Sequence, residues 1–185
     1  MVSEIIPVEP IEVLASFLVS NNVIGFVNEH KSFNGATLQR YIKQQYDFYN
    51  KLPKTILEAR VHDKNRLSRI FKHRWFLQIV PLKYIGVWPG VGDLPKEWSA
   101  FSVLDISKRL EGTNKTLHSV QKIYSMIPYI NEILYLLPPI LVMGSEIRDI
   151  NNNQLMPFDA DDGSHRCIAA ALNGVEEVKC YVGLS

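Results

Sequence analysis

Apolar residues recur at intervals of three and four through most of the first 75 positions. This spacing predicts helices, because residues so separated share one face of a helix. The pattern covers residues 10–20, 37–50 and 56–71. We expect Asn21 and Asn22 to end the first helix, and residues 23–27 to form a strand or a buried turn. Residues 1–75 are therefore predicted to be a mainly helical N-terminal region.

The pattern changes after position 75. Residues 76–85 favour a strand, and Pro81 within it indicates a bend or a sheet edge, since proline cannot donate a ladder hydrogen bond. Further helices are expected over residues 100–110, 116–127 and 129–137.

The last 46 residues predict strands at 140–143 and 155–158, a helix that begins near Ser164, and a final strand in which Val178, Cys180 and Val182 alternate. Residues 76–185 are therefore predicted to form an α/β (α+β) domain with a small mixed sheet.

Composition is that of an ordinary globular protein, with 46% hydrophobic and 21% charged residues and a formal charge of +1. This charge excludes a strongly basic, histone-like binder. No uninterrupted apolar run approaches the roughly 18 residues of a membrane span, and no basic segment precedes an apolar one at the start. We expect a cytoplasmic protein without membrane contact. Cys167 and Cys180, which are not spaced as a metal or redox motif, are expected to be reduced core residues.

Charge is unevenly distributed along the chain. Residues 54–84 hold eight lysines and arginines and two acids, whereas residues 141–185 hold seven acids and three bases. The stretch from Arg60 to Arg74 has two interpretations: a face that binds a polyanion such as nucleic acid, or a solvated helix that pairs with the acidic half of the chain. The sequence favours the second.

Residues 162–166 read Asp-Gly-Ser-His-Arg and lie where a predicted strand meets a helix start. Unpaired backbone N–H groups and the helix dipole attract anions at such a position. Gly163 allows close approach of the backbone, and Ser164 adds a hydroxyl. Arg166 can donate two hydrogen bonds to a phosphate, and His165 can donate one or move a proton.

The carboxylates of Asp159, Asp161 and Asp162 would repel a bare phosphate. They suit a magnesium-bound phosphate better, so Asp161 and Asp162 are the predicted metal ligands. Asp162 and His165 are the predicted catalytic residues. The alternative is structural: Asp162 caps the helix, and His165 and Arg166 are exposed on its first turn.

This segment, with the alanine-rich residues 169–172, Gly174 and residues 175–178 after it, resembles the signature of the ParB/sulfiredoxin-like superfamily. Residues 79–85 are similar to the strand that opens such domains, and residues 139–142 to the strand before the signature. The resemblance covers roughly residues 76–185. It implies a small mixed sheet with helices and, in the branch with an Asp-Gly-x-His-Arg box, a nucleotide phosphate-binding loop.

Differences from the sequence motifs of the family narrow the set of activities that the resemblance implies. Ser164 stands where sulfiredoxins carry their catalytic cysteine, and the box and downstream motifs of chromosome-partitioning members are absent. Neither activity is expected. The branch with the Asp-Gly-x-His-Arg box includes kinases that use a glutamate as the general base. The matching region of this sequence offers only Asp93 and Glu97, and both are interpreted as surface residues.

Two functions follow from the resemblance. The first is a phosphotransferase or phosphohydrolase that acts on a small molecule with a nucleotide (ATP, ADP or CTP) and Mg²⁺, its phosphate held by Gly163, Ser164, His165 and Arg166. The second is a non-catalytic module that binds a nucleotide, or nucleic acid through the stretch from Arg60 to Arg74.

Overall fold

The computed structural model describes residues 5–29, 34–88, 91–147 and 156–185. The strands of this part of the chain are β1 (Ile6–Val8), β2 (Arg74–Pro81), β3 (Ile85–Gly86), β4 (Ile140–Met143), β5 (Phe158–Asp162) and β6 (Glu177–Leu184). The α-helices are α1 (Pro10–Glu29), α2 (Gly35–Tyr49), α3 (Lys54–Ala59), α4 (Lys64–Lys72), α5 (Val103–Arg109), α6 (His118–Met126), α7 (Ile130–Leu136), α8 (Gly144–Ile147) and α9 (Ser164–Leu172).

The strands form one mixed sheet in the order β1-β2-β6-β4-β5-β3. β2 pairs antiparallel with both β1 and β6, and β4 pairs parallel with β6 and antiparallel with β5. The parallel β4 and β6 are joined through β5 and α9, so the helix crosses over one face of the sheet. The predicted α+β fold with a small mixed sheet is confirmed.

Helices cover both faces of this sheet. Neighbouring residues of a strand point to opposite faces, so the register pair Leu77 and Tyr181 lies on one face and the pair Phe76 and Val182 on the other. On the first face α1 packs against β2. On the second, α9 packs with α5, α6 and α7. α6 also contacts α1, and α7 also contacts α2, so these two helices touch both layers.

The N-terminal region is mainly helical, as predicted, but it also contributes to the sheet. Ile6–Val8 forms the edge strand beside β2. One hydrophobic core contains Leu14 of α1, Ile70 of α4 and Leu141 of β4. The first 75 residues and the remainder are therefore packed around a shared core.

The first helix is longer than predicted. Asn21 and Asn22 do not end α1, which continues to Glu29. The Asn22 side-chain amide donates to Gln45 Oε1 at 2.7 Å and to the Tyr49 hydroxyl at 2.9 Å, both on α2. Because the amide is satisfied by this packing, asparagine does not end the helix here, and the expected strand or turn at residues 23–27 is wrong.

The composition of α1 corrects the expectation that no apolar segment has the length of a membrane span. Its window Pro10–Val27 has a mean hydropathy of 1.5 and is, by length and composition, apolar enough to cross a membrane. In the structure 56% of that window is buried within the protein. A core helix passes the same test, so the composition of α1 is accounted for by its packing.

Two further expectations concern the strands. Pro81 marks a bend, as predicted: Leu82–Tyr84 forms a single 3₁₀ turn that separates β2 from β3. Residues 155–158 were expected to be a strand, but Leu155 lies outside the described residues and β5 extends from Phe158 to Asp162. Asp159, Ala160 and Asp162, which lie beyond the predicted strand, are thus paired with β4, with a register shift between Ile140 and Leu141.

Close packing of Trp75 against Gly183 generates a stability prediction. The buried Trp75 is the register partner of Gly183 and donates its indole N–H to the Ile70 carbonyl at 2.8 Å. A Cβ at position 183 would lie 2.8 Å from the indole ring. Gly183→Ala should therefore lower the free energy of unfolding, measured by urea denaturation, by about 1–3 kcal/mol.

The matched control is Gly25→Ala, within α1. A Cβ at position 25 meets nothing within 4 Å, so alanine should raise the free energy of unfolding by about 0.5–1 kcal/mol. Equal stability of Gly183→Ala and the parent would contradict the packing described for Trp75.

Candidate functional site

The carboxyl end of β5 carries two consecutive aspartates that are bound by arginines of different helices, beside a shift in the register between β5 and β4. Asp161 faces α4, where Arg69 Nη2 donates to its Oδ1 at 2.6 Å and Arg66 Nε at 3.3 Å. Arg66 Nη2 also donates to the Asp161 backbone carbonyl at 2.6 Å. Asp162 faces α9 and accepts from Arg166 Nη2 at 2.5 Å. The two carboxylates diverge, and each is paired with arginine.

These residues do not fit the predicted magnesium ion. Mg²⁺ requires oxygen ligands that converge at about 2.1 Å, whereas Asp161 and Asp162 are bound by arginines of different helices. Within the described ranges, no group of three or more histidine, cysteine, aspartate and glutamate side chains is placed to hold a metal. The arrangement therefore gives no support to the expectation that Asp161 and Asp162 bind Mg²⁺, which stays a prediction from the sequence.

Arg166 lies inside the protein, although the sequence analysis placed it on the exposed first turn of a helix. Its relative exposure is 1%. The guanidinium donates to the Leu137 carbonyl and to Asp162, and packs so close to Gly163 that a Cβ there would lie 3.0 Å from Nη2. Arg166 therefore joins the start of α9 to the end of α7, and it is not positioned to bind a phosphate directly.

The start of α9 has no side-chain cap. Gly163 occupies the N-cap position with a φ of +97°, a conformation that favours glycine. Asp162 is thus not the cap, contrary to the structural alternative. The hydroxyl of the buried Ser164 donates inward to the Ala160 carbonyl at 3.4 Å. By contrast, the N-cap side chains of α2, α4 and α5 accept a backbone N–H at each helix start.

His165 lies partly buried beside this helix start. Its Nε2 atom has no hydrogen-bond partner among the described residues. Burial lowers the pKa of His165 to about 4; the positive charge of Lys122 acts in the same direction, and the carboxylate of Asp162 opposes it. The imidazole is therefore neutral at pH 7. A Cβ at Gly92 would lie 3.6 Å from Nε2, so the backbone at position 92 lies beside this atom.

Lys122 of α6 is a site residue that sequence reasoning missed. It is half-buried, and burial lowers its pKa below the ordinary value, opposed by the carboxylate of Asp162. Among the ion pairs within the described part of the chain, none involves Lys122. A single lysine on an amphipathic helix carries no signal in the sequence, because its neighbours come from β5 and α9.

Asp93 caps α6 from a neighbouring loop. Its carboxylate accepts the backbone N–H of His118 at 2.6 Å and of Ser119 at 2.8 Å. The hydrogen bond from Ser119 is the largest cause of its pKa of about 2. Asp93 is exposed, as expected, and so is Glu97. The contacts of Asp93 are those of a helix cap.

The basic stretch pairs with the acidic half of the chain at its centre. Arg66 and Arg69 are bound by Asp161, as the favoured interpretation holds. The Arg60 guanidinium lies 5.7 Å from the ring centroid of Phe48. Arg60, Lys64, Lys72 and Arg74 remain exposed.

Both cysteines are free and buried, as predicted. Burial raises the pKa of Cys167 to about 12. A redox nucleophile requires a thiolate, which this environment disfavours.

Comparison with known proteins adds no relative. No protein-family model, curated protein or solved structure matches this chain. Membership of the ParB/sulfiredoxin-like superfamily, the nucleotide cofactor and the cytoplasmic location stay predictions from the sequence.

The burial of Arg166 predicts that this residue is structural. Arg166→Ala would leave the Asp162 carboxylate, whose side chain is 13% exposed, without its partner. Loss of one member of a buried ion pair should lower the free energy of unfolding by about 3–5 kcal/mol. Arg74→Ala, at an exposed position of β2, should change it by no more than about 0.5 kcal/mol. Urea denaturation measures both, and equal losses would contradict the assignment.

The low pKa of His165 predicts a pH dependence of stability. The value of about 4 in the folded protein lies below the ordinary 6.5, so the unfolded chain binds the proton more tightly. The resulting stability is present above pH 6.5 and is lost as the pH falls towards 4. Between pH 7 and 5 the parent should lose about 2 kcal/mol more than His165→Gln in urea denaturation.

His118→Gln serves as the control, because His118 is exposed at the start of α6. This variant should keep the pH dependence of the parent. If His165→Gln also kept the pH dependence of the parent, that result would contradict a buried His165 imidazole that is neutral at pH 7.

Proposed function

We propose that this protein binds a phosphate-bearing small molecule of the nucleotide class at the start of α9. We define the α6–α9 site as Gly92, Ser119, Lys122, Gly163 and His165. The observation that carries the proposal is the position of two polar groups, the Lys122 ammonium and the His165 Nε2 atom, beside a helix start without a side-chain cap. Neither group has a partner in the described part of the chain.

Local charge supports an anionic ligand. Asp162 is neutralised by Arg166, and the Asp93 carboxylate is bound by the start of α6. The charge of Lys122 therefore has no carboxylate bound to it. Burial makes an unpaired ammonium ion unfavourable, so a bound phosphate would stabilise it and raise its pKa.

The start of α6 shows how this chain holds an anion. Two consecutive backbone N–H groups there bind the carboxylate of Asp93 at 2.6 and 2.8 Å. A phosphate at the start of α9 would use the same chemistry, with N–H groups and the helix dipole directed at its oxygens. The φ of +97° at Gly163 shapes this helix start.

In this proposal Arg166 is a positioning residue. Its guanidinium packs against the turn at Gly163, and it neutralises the charge of Asp162 that would otherwise repel a phosphate. Neither Asp161 nor Asp162 is left free to serve as a base. The contacts therefore support binding, and phosphotransfer or phosphohydrolysis stays a prediction from the resemblance alone.

Calorimetric titration of ADP, ATP, CTP and pyrophosphate tests the proposal. Lys122→Gln should weaken binding by about tenfold to more than a hundredfold, the equivalent of one charge-assisted hydrogen bond of about 1.5–3 kcal/mol. Lys43→Gln, an exposed lysine of α2, is the matched control and should bind as the parent does.

Absence of binding by all four compounds at millimolar concentration would overturn the proposal, as would equal binding by the Lys122 and Lys43 variants. Single-stranded DNA should be titrated in parallel. Binding of DNA that is unaffected by Lys122→Gln and falls steeply with salt would point instead to the stretch from Arg60 to Arg74.

A further inference from the structure

A second potential binding site lies on the opposite face of the sheet from α9. It is a cavity of about 600 Å³ between α1, α2, α7 and the strands β2 and β6. We call it the tyrosine cavity. Its lining includes Ala15, Tyr46, Tyr49, Leu77 and Tyr181. Cavities that hold small molecules span about 300–1,000 Å³, so this one is large enough for a compound of two or three rings.

The wall of the cavity carries tyrosine hydroxyls, and its other polar groups are those of Asn50, Glu12 and Lys179. The Tyr46 hydroxyl lies 3.0 Å from Ser16 Oγ and 3.1 Å from the Leu136 carbonyl. Burial raises the pKa of Tyr46 and that of Tyr181, and the carboxylate of Glu12 adds to the effect at Tyr181. These hydroxyls therefore stay protonated across the physiological pH range, and the proton of Tyr46 is shared between partners within the protein.

Charged groups lie at the exposed rim. Glu12 and Lys179 line the cavity and are exposed, and their opposite charges favour neither an anion nor a cation. An ion transferred into the tyrosine-lined interior would lose hydration without gaining a counter-charge there. The charges thus favour a neutral occupant.

An exposed aromatic ring also lies at this cavity. Tyr135 of α7 lines it and is 84% exposed, the largest value among the exposed large hydrophobic residues of the described chain. An occupant would cover part of this ring, and aromatic rings pack favourably against one another in offset or edge-to-face contacts.

We infer that the tyrosine cavity binds a small, neutral, planar aromatic compound that carries carbonyl, hydroxyl or amide groups. The rings and aliphatic side chains of the wall contact its faces, and the tyrosine hydroxyls meet its polar groups. This inference is independent of the proposed phosphate site, which consists of other residues and requires an anion.

Ligand-detected NMR with defined probes tests the inference. Two neutral probes, 2-quinolinone and indole-3-carboxamide, should bind the parent, and the charged benzoate and benzylamine should bind more weakly. Ala15→Leu, which adds side-chain volume to the cavity wall, should weaken the neutral probes by about tenfold. Tyr181→Phe, which deletes only a hydroxyl, should weaken them by about two- to tenfold.

Tyr124→Phe is the matched control, because Tyr124 lies on α6 and outside this cavity. It should leave binding unchanged. If Ala15→Leu does not fold, as judged by circular dichroism, Tyr181→Phe decides the outcome. No binding of the neutral probes to the parent, equal binding to the parent and Tyr181→Phe, or a preference for a charged probe would overturn the inference. Saturating pyrophosphate should not displace the neutral probes.

Discussion

Buried carboxylates must be paired, and this constraint organises the protein around the end of β5. Asp161 is bound by two arginines of α4, and Asp162 is bound by an arginine of α9. Both helices are thereby joined to β5. Such pairs are poor evidence of net stabilisation, but loss of one partner leaves an uncompensated buried charge. Both helix layers thus depend on the same short strand.

This constraint also determines what the start of α9 can bind. Because Arg166 is used to neutralise Asp162, it is withdrawn from any ligand, and the positive charge at the site comes from Lys122 on another helix. The neutral His165 contributes a polar atom without adding charge. In the segment that resembles a phosphate-binding box, the arginine therefore has a structural role, and the proposed site depends on side chains from other elements.

The two inferred binding regions differ in chemistry as well as in position. The α6–α9 site combines a cation with backbone N–H groups, which suits an anion. The tyrosine cavity combines aromatic walls with neutral hydroxyls, which suits an uncharged ring compound. The sheet lies between them, with Tyr181 directed to the cavity and its neighbours Cys180 and Val182 directed to the side of α9. β6 therefore contributes side chains to the tyrosine cavity on one face of the sheet and to the packing against α9 on the other.

The sequence by itself determined most of the local structure: the helical N-terminal region, the bend at Pro81, the helix that begins at Ser164 and the alternating final strand with its buried Cys180. These features depend on spacing and backbone preference, which neighbouring residues specify. The full length of α1, the divergence of Asp161 from Asp162, the burial of Arg166 and the role of Lys122 were decided only by the tertiary structure. Their partners lie far away along the chain, as with Asp161 and Arg66, separated by 95 positions. Burial and charge pairing depend on what packs above a side chain, and a one-dimensional pattern does not contain that information.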